Sequence, residues 1–220
     1  MRYRELIDKA DKFEEEYELT ECMYFGAIEK LKDVREDLGR LDDIKHIQRV
    51  IKLFLIQWGN MTRVVSRKGL DWKGFGVTLR SLEKEFGQIR GEKFITIDFN
   101  DPTIANAIKN MYSKLDPFPY LGSPTTISKI LHLLNPEILV MWDNAIERRY
   151  HRMNQRVDYT PQGYLEFLKE MQKEIGQALE ERKIETGQGL DVIEREIRSR
   201  YKNKTLAKII DQYNWMSKGH

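Results

Sequence analysis

One cysteine, Cys22, occurs in 220 residues. A single thiol makes no internal disulfide, no cysteine-ligated iron–sulfur cluster and no zinc knuckle. Histidine is scarce as well. His46, His132, His151 and His220 show neither HxH nor HxxxH spacing, so no metal and no cofactor is expected. Proline is missing from residues 1–101, and all six prolines fall between Pro102 and Pro161. The N-terminal half is therefore open to long helices. No stretch approaches the ~18 uncharged apolar residues that span a bilayer. The opening MRYRELIDKADKFEEEYE is charged throughout and lacks the apolar core of a signal peptide. No membrane partner and a cytoplasmic location are expected. A charge excess of one sign is also missing: 37 Lys and Arg stand against 35 Asp and Glu, a net +2. A polyanion would have to meet a local basic patch.

What is present is dense charge and helical periodicity. Charged residues make up 33% of the chain and hydrophobic ones 40%, against a usual charged share of about 25%. Apolar residues recur at helical spacing nearly throughout. Residues 3–17 align Tyr3, Leu6, Ile7, Ala10, Phe13 and Tyr17, and residues 21–38 align Tyr24, Ala27, Ile28, Leu31, Val34 and Leu38. Thr20 either caps the second of these helices or sits at a bend in one long helix. Residues 42–58 carry the broadest stripe, from Ile44 through Phe54 to Trp58, which predicts a helix central to the core. Residues 59–76 follow as a glycine-punctuated segment. Arg63, Arg67 and Lys68, interleaved with Trp72 and Phe75, suit a phosphate or single-strand contact; the same segment also reads as an ordinary loop with its aromatics turned inward.

Further helices are expected at 78–90, 102–113, 161–182, 190–201 and from Thr205 onward. FITIDF at 94–99 alternates like a strand but has no partner, and is expected to be an extended, buried linker. The Glu, Lys and Arg of the C-terminal helices read as solvated faces with i,i+4 pairs. The expected fold is all-α: a globular multi-helix bundle in one domain, with two lobes flanking a cleft if the proline-rich 115–123 segment divides it.

Residues 123–150, SPTTISKILHLLNPEILVMWDNAIERRY, hold the side chains of greatest chemical interest. Ser123-Pro124 starts a helix and Asn135-Pro136 stops it. Ile127, Ile130, Leu131 and Leu134 share one face, and Thr125, Thr126, Lys129 and His132 form a polar stripe on the other. EILVMW at 137–142 must be buried. Asp143 then caps a new helix bearing Arg148, Arg149 and Arg152, where the free N–H groups and the helix dipole stabilise a carboxylate.

This stretch resembles the signature of the helix-hairpin-helix DNA glycosylase superfamily. In that family a hairpin helix carries a lysine nucleophile, and a short apolar connection ends in an aspartate that caps an arginine-rich helix. Lys129 matches the lysine and Asp143 the aspartate. The chain departs from the pattern in having only Gly122-Ser123-Pro124 before the lysine helix, Ile130 and Leu131 after the lysine, and 14 positions between the pair. The resemblance implies a base-excision glycosylase or abasic-site lyase whose partner is DNA. Lys129 would attack the sugar C1′, assisted by a nearby cation such as protonated His132. Asp143 would stabilise the oxocarbenium-like sugar. Trp142, Trp58 and Trp72 would hold the flipped base, and Arg148, Arg149, Arg152, Arg63, Arg67 and Lys68 the phosphates. Two other readings stand beside it. Lys129 is equally a solvated lysine and Asp143 a plain cap in a non-enzymatic helical module that binds nucleic acid or protein. Arg40 and His46 fit the loose spacing of a HEPN-type ribonuclease.

Overall fold

The proline-free N-terminus forms one uninterrupted helix, α1 (Tyr3–Lys30). Thr20 does not cap a second helix; its hydroxyl donates back to Tyr17 O at 2.8 Å inside α1. The computed structural model describes residues 1–36, 38, 44–58, 72–115, 124–202 and 204–217. Ten more helices follow among them: α2 (Lys32–Glu36), α3 (Ile44–Gln57), α4 (Trp72–Ser81), α5 (Glu83–Ile89), α6 (Pro102–Leu115), α7 (Pro124–Leu134), α8 (Asn144–Met153), α9 (Pro161–Thr186), α10 (Leu190–Arg200) and α11 (Leu206–Met216). There is no strand among the described residues, and no described helix is long and apolar enough to cross a membrane. The protein is an all-α multi-helix bundle.

Several boundaries differ from the sequence expectation for local reasons. The glycine-punctuated segment becomes helical at Trp72, so Gly74 and Gly76 lie within α4 and Phe75 is buried. The single helix expected at 78–90 is broken at Leu82, which is buried. FITIDF is not extended. The N–H groups of Thr96 and Ile97 both return to Lys93 O, at 3.1 and 2.9 Å. This turn buries Phe94, Ile97 and Phe99, and the Gln172 amide donates to Phe94 O and Ile97 O at 2.8 and 2.7 Å. Residues 116–123, the expected lobe boundary, lie outside the described residues. The buried apolar side chains form one contiguous cluster from Leu6 to Tyr213.

α3, the helix expected at the centre, buries Ile47, Val50, Ile51, Phe54 and Leu55 in the core, and two further helices, α7 and α11, are enclosed on every side. Every residue from Thr126 to Leu134 is buried, whereas α3 exposes Leu53. Five of these are Leu or Ile, and their burial contributes roughly 7–15 kcal/mol. Thr126, Ser128, Lys129 and His132 are buried with them, so the expected polar stripe faces inward. Around α7 stand α3 and α6, while α1 packs on α3, α9 and α11.

The connection from α7 to α8 is irregular and buried, so its backbone groups need side-chain partners. Leu139 O accepts from His132 Nδ1 at 2.6 Å, and Val140 O accepts from the Tyr164 hydroxyl at 2.8 Å. The Trp142 N–H donates to Ser128 Oγ at 3.2 Å. Three side chains on α7 and α9 thereby clamp the segment that delivers Asp143.

Candidate active site

Lys129 and Asp143 line the same cavity, of about 320 Å³. Each is held by different local physics. Lys129 follows Ser128 on the enclosed helix, is 9% exposed, and has its ammonium over the Trp58 ring at 5.5 Å. Asp143 is the N-cap of α8 with extended backbone, φ −138° and ψ −176°. Its Oδ1 accepts from the N–H groups of Ala145 and Ile146 at 2.9 and 3.0 Å. The cap fixes the carboxylate at the mouth of the helix, where the dipole favours negative charge.

Five of the twelve described residues lining the cavity are aromatic. Trp58, Trp142 and Trp215 line the cavity together with Phe13 and Tyr17. Trp142 is a wall anchored in the core: it is 1% exposed, its Nε1–H donates to Pro124 O at 3.2 Å, and it packs edge-on against Tyr112 and Tyr164. Trp58 stacks on Phe54, with centroids 4.8 Å apart and planes at 12°. Trp215 is the most open of the three, 40% exposed, and meets Tyr17 edge-on at 6.2 Å.

A second carboxylate, Asp211 on α11, also lines the cavity. Behind it lies a buried ion network. Lys208 Nζ contacts Asp211 Oδ2 at 3.1 Å and Glu21 Oε1 at 3.4 Å. Lys204 pairs with Glu21 at 2.8 Å and with Glu14. Both lysine side chains are fully buried. The Lys208 ammonium lies 4.5 Å from the Trp58 ring centroid, and the Trp58 Nε1–H donates to Glu21 Oε1 at 3.1 Å. Burial alone would raise the Glu21 carboxyl; the ammonium groups of Lys208 and Lys204 and hydrogen bonds from Lys204 and Trp58 hold it below the usual glutamate value.

Of the other residues singled out from the sequence that are described, His132, Arg148, Arg149 and Arg152 do not line the cavity. His132 does not supply a cation beside Lys129. It is fully buried, and its Nδ1 must carry the proton because Leu139 O can only accept. Its Nε2 then accepts from the Tyr24 hydroxyl at 2.9 Å. Burial lowers its pKa to about 3, so the ring is neutral and structural. Arg149 is held against aromatic rings. It is half-buried, lies over the Tyr150 and Tyr213 rings at 5.3 and 5.6 Å, and donates to the Tyr213 hydroxyl at 3.5 Å. Arg148 and Arg152 share the exposed face of α8 and do not line the cavity. Trp72 opens α4 as backbone, and its side chain lies outside what is described. Arg63, Arg67, Lys68 and Arg40 lie outside the described residues. His46 is exposed on α3.

Sequence reasoning missed Asp211, Trp215, Phe13 and Tyr17. A signal existed for the first: Lys208 and Asp211 interrupt LAKIIDQY, whose other positions are nearly all apolar or amide. Lys204, Lys208 and Asp211 are buried rather than solvated. The surface pairs expected of the C-terminal helices do occur, at Arg195–Asp191 and Arg198–Glu194. Among the described residues no group of three or more His, Cys, Asp or Glu is arranged to hold a metal ion. Compared with family models, with curated proteins and with solved structures, the chain matches none.

Proposed function

We propose that the chain is a DNA base-excision enzyme, a glycosylase with abasic-site lyase chemistry, acting on a flipped base through Lys129 and Asp143. The observation that carries this reading is the convergence of a lysine on an enclosed helix and a helix-capping aspartate on one aromatic cavity. At about 320 Å³ the cavity falls at the small end of ligand pockets, which run from about 300 to 1,000 Å³. That size suits one extruded base. A base removed from its stack loses aromatic contacts, and the Trp58, Trp215 and Tyr17 rings replace them.

The chemistry follows from the two charged groups. Lys129 attacks as the neutral amine, the form that desolvation favours. Its nitrogen bonds to C1′ as the C1′–base bond breaks, and the bonding electrons leave with the base, which takes up a proton. The new C1′ amine then loses a proton, the ring oxygen leaves C1′ and is protonated, and a Schiff base remains. The Asp143 carboxylate opposes the positive charge that develops on the sugar. Its cap hydrogen bonds hold it in place before the reaction, so it does not reorganise during it.

Borohydride trapping on duplexes carrying an abasic site or an oxidised base tests this reading. A covalent adduct with the wild type and none with Lys129→Ala supports it. Absence of adduct and of base release over a broad panel of lesions removes it and leaves a non-enzymatic module, presenting Arg148 and Arg152 to a nucleic acid or protein partner.

A further inference from the structure

Five charged side chains run as an unbroken series from the rim of the protein to the cavity wall: Glu14, Lys204, Glu21, Lys208 and Asp211. The Glu14 side chain is 21% exposed, and both lysines are fully buried. Buried ion pairs seldom stabilise a fold more than apolar side chains of the same volume would. A series of this length that ends in a cavity therefore points to a task at the cavity.

Trp58 joins the series to Lys129. Its Nε1–H donates to Glu21, and its ring has the Lys208 ammonium at 4.5 Å and the Lys129 ammonium at 5.5 Å from the centroid. Two lysine ammonium groups thus share one indole ring, and one of them is locked between two carboxylates. We propose that Lys208, held by Glu21 and Asp211, is a positioning residue whose charge opposes protonation of Lys129. This rests on the reading of Lys129 as the nucleophile.

Among the described residues, charged groups that line the cavity with Lys129 or contact Trp58 come from three directions. Glu21, on α1, acts through Trp58; Asp143 stands at the cap of α8; Lys208 and Asp211 project from α11. Lys204 stands behind Glu21, and His132 on the same helix as Lys129 is neutral. Burial raises the Tyr24 phenol well above its ordinary value, so it is uncharged. Glu21, Asp143 and Asp211 favour the protonated amine, and Lys208 and Lys204 oppose it. Loss of Lys208 removes a repelling cation and at the same time uncovers Glu21 and Asp211. Both changes stabilise the ammonium form of Lys129.

The test is a pH titration of protein carrying [ε-¹³C]lysine, with the Lys129 resonance assigned by its loss in Lys129→Arg. In Lys208→Met the Lys129 midpoint is expected to rise by about one pH unit. In Glu21→Gln it is expected to fall. In Lys208→Arg, and in the double variant Lys208→Met/Glu21→Gln, which removes one charge of each sign, it is expected to stay near the wild-type value. If Lys208→Met does not fold, the step from Glu21→Gln to the double variant reads the same charge. Midpoints that do not move, or that move in the same direction in Lys208→Met and Glu21→Gln, overturn the proposal. Trapping run alongside separates the two readings. A wild-type adduct with unmoved midpoints sinks the tuning alone, whereas opposite shifts without any adduct sink the enzyme reading and leave the tuning standing.

Discussion

Ser128 and Trp142, the residues immediately before Lys129 and Asp143, are hydrogen-bonded to each other, the Trp142 N–H donating to Ser128 Oγ at 3.2 Å. The register of the lysine helix is thereby tied to that of the aspartate cap. Ser128→Ala leaves a buried N–H without this acceptor, which costs about 1–3 kcal/mol. Loosened geometry between the reacting groups is expected to slow trapping by about 10–100-fold although both side chains remain. Urea denaturation and single-turnover trapping read the two effects separately. Unchanged trapping in a destabilised variant would show that the tie is structural only.

Asp143 carries two duties that substitution can divide. Asparagine caps a helix about as well as aspartate, whereas alanine loses about 1 kcal/mol. Asp143→Asn should keep its thermal midpoint and lose charge stabilisation at the sugar, with base release falling at least about 100-fold. Asp143→Ala should show both losses. Full activity in Asp143→Asn would limit this residue to capping.

Trp215 tests the aromatic wall with least disturbance to the core, because it is 40% exposed. Replacing it with alanine removes one stacking surface, which is worth about 1–3 kcal/mol per base. The KM for lesion DNA should rise by about 5–150-fold, with little change in urea midpoint. Trp58→Ala is expected to weaken both, since that indole also stacks on Phe54 and bonds Glu21.

His132 should be visible as an acid sensitivity of the fold. Its folded pKa is pushed by burial down to about 3, while the unfolded chain takes up the proton near the ordinary histidine value of about 6.5. The depressed value means that stability is complete above about pH 6.5 and declines as pH falls towards 3, by about 1.4 kcal/mol per pH unit. His132→Gln lacks this titration. Its stability, measured by urea denaturation between pH 6.5 and 4.5, should fall less steeply than that of the wild type. Parallel curves would contradict the buried neutral assignment.

How much of this was legible in the sequence follows from what each residue depends on. The helix start at Pro124, the stop at Asn135 and the Asp143 cap rest on local chemistry, and each lies where its own residues direct. The long α1 was legible except at Thr20, where a hydroxyl returning to Tyr17 resembles a cap in one dimension. The polar stripe that includes Lys129 and His132 was legible, but not its inward direction, because periodicity reports which face is apolar, not whether the polar face meets water. Here α7 is enclosed, so its polar side chains had to find partners on α1, α3 and the 135–143 connection. Asp211 and Trp215 stand about 70 positions from Asp143 in sequence. Only the packing of α11 on α1 brings them to the cavity, and no local pattern records that contact.

The most direct measurement is to locate the borohydride-trapped sugar by peptide mapping and mass spectrometry. The sugar should be found on the peptide containing Lys129, at Nζ, with Lys204 and Lys208 unmodified. Attachment at another amine of the chain, or an adduct that persists undiminished in Lys129→Ala, would contradict the assignment of Lys129 as the nucleophile.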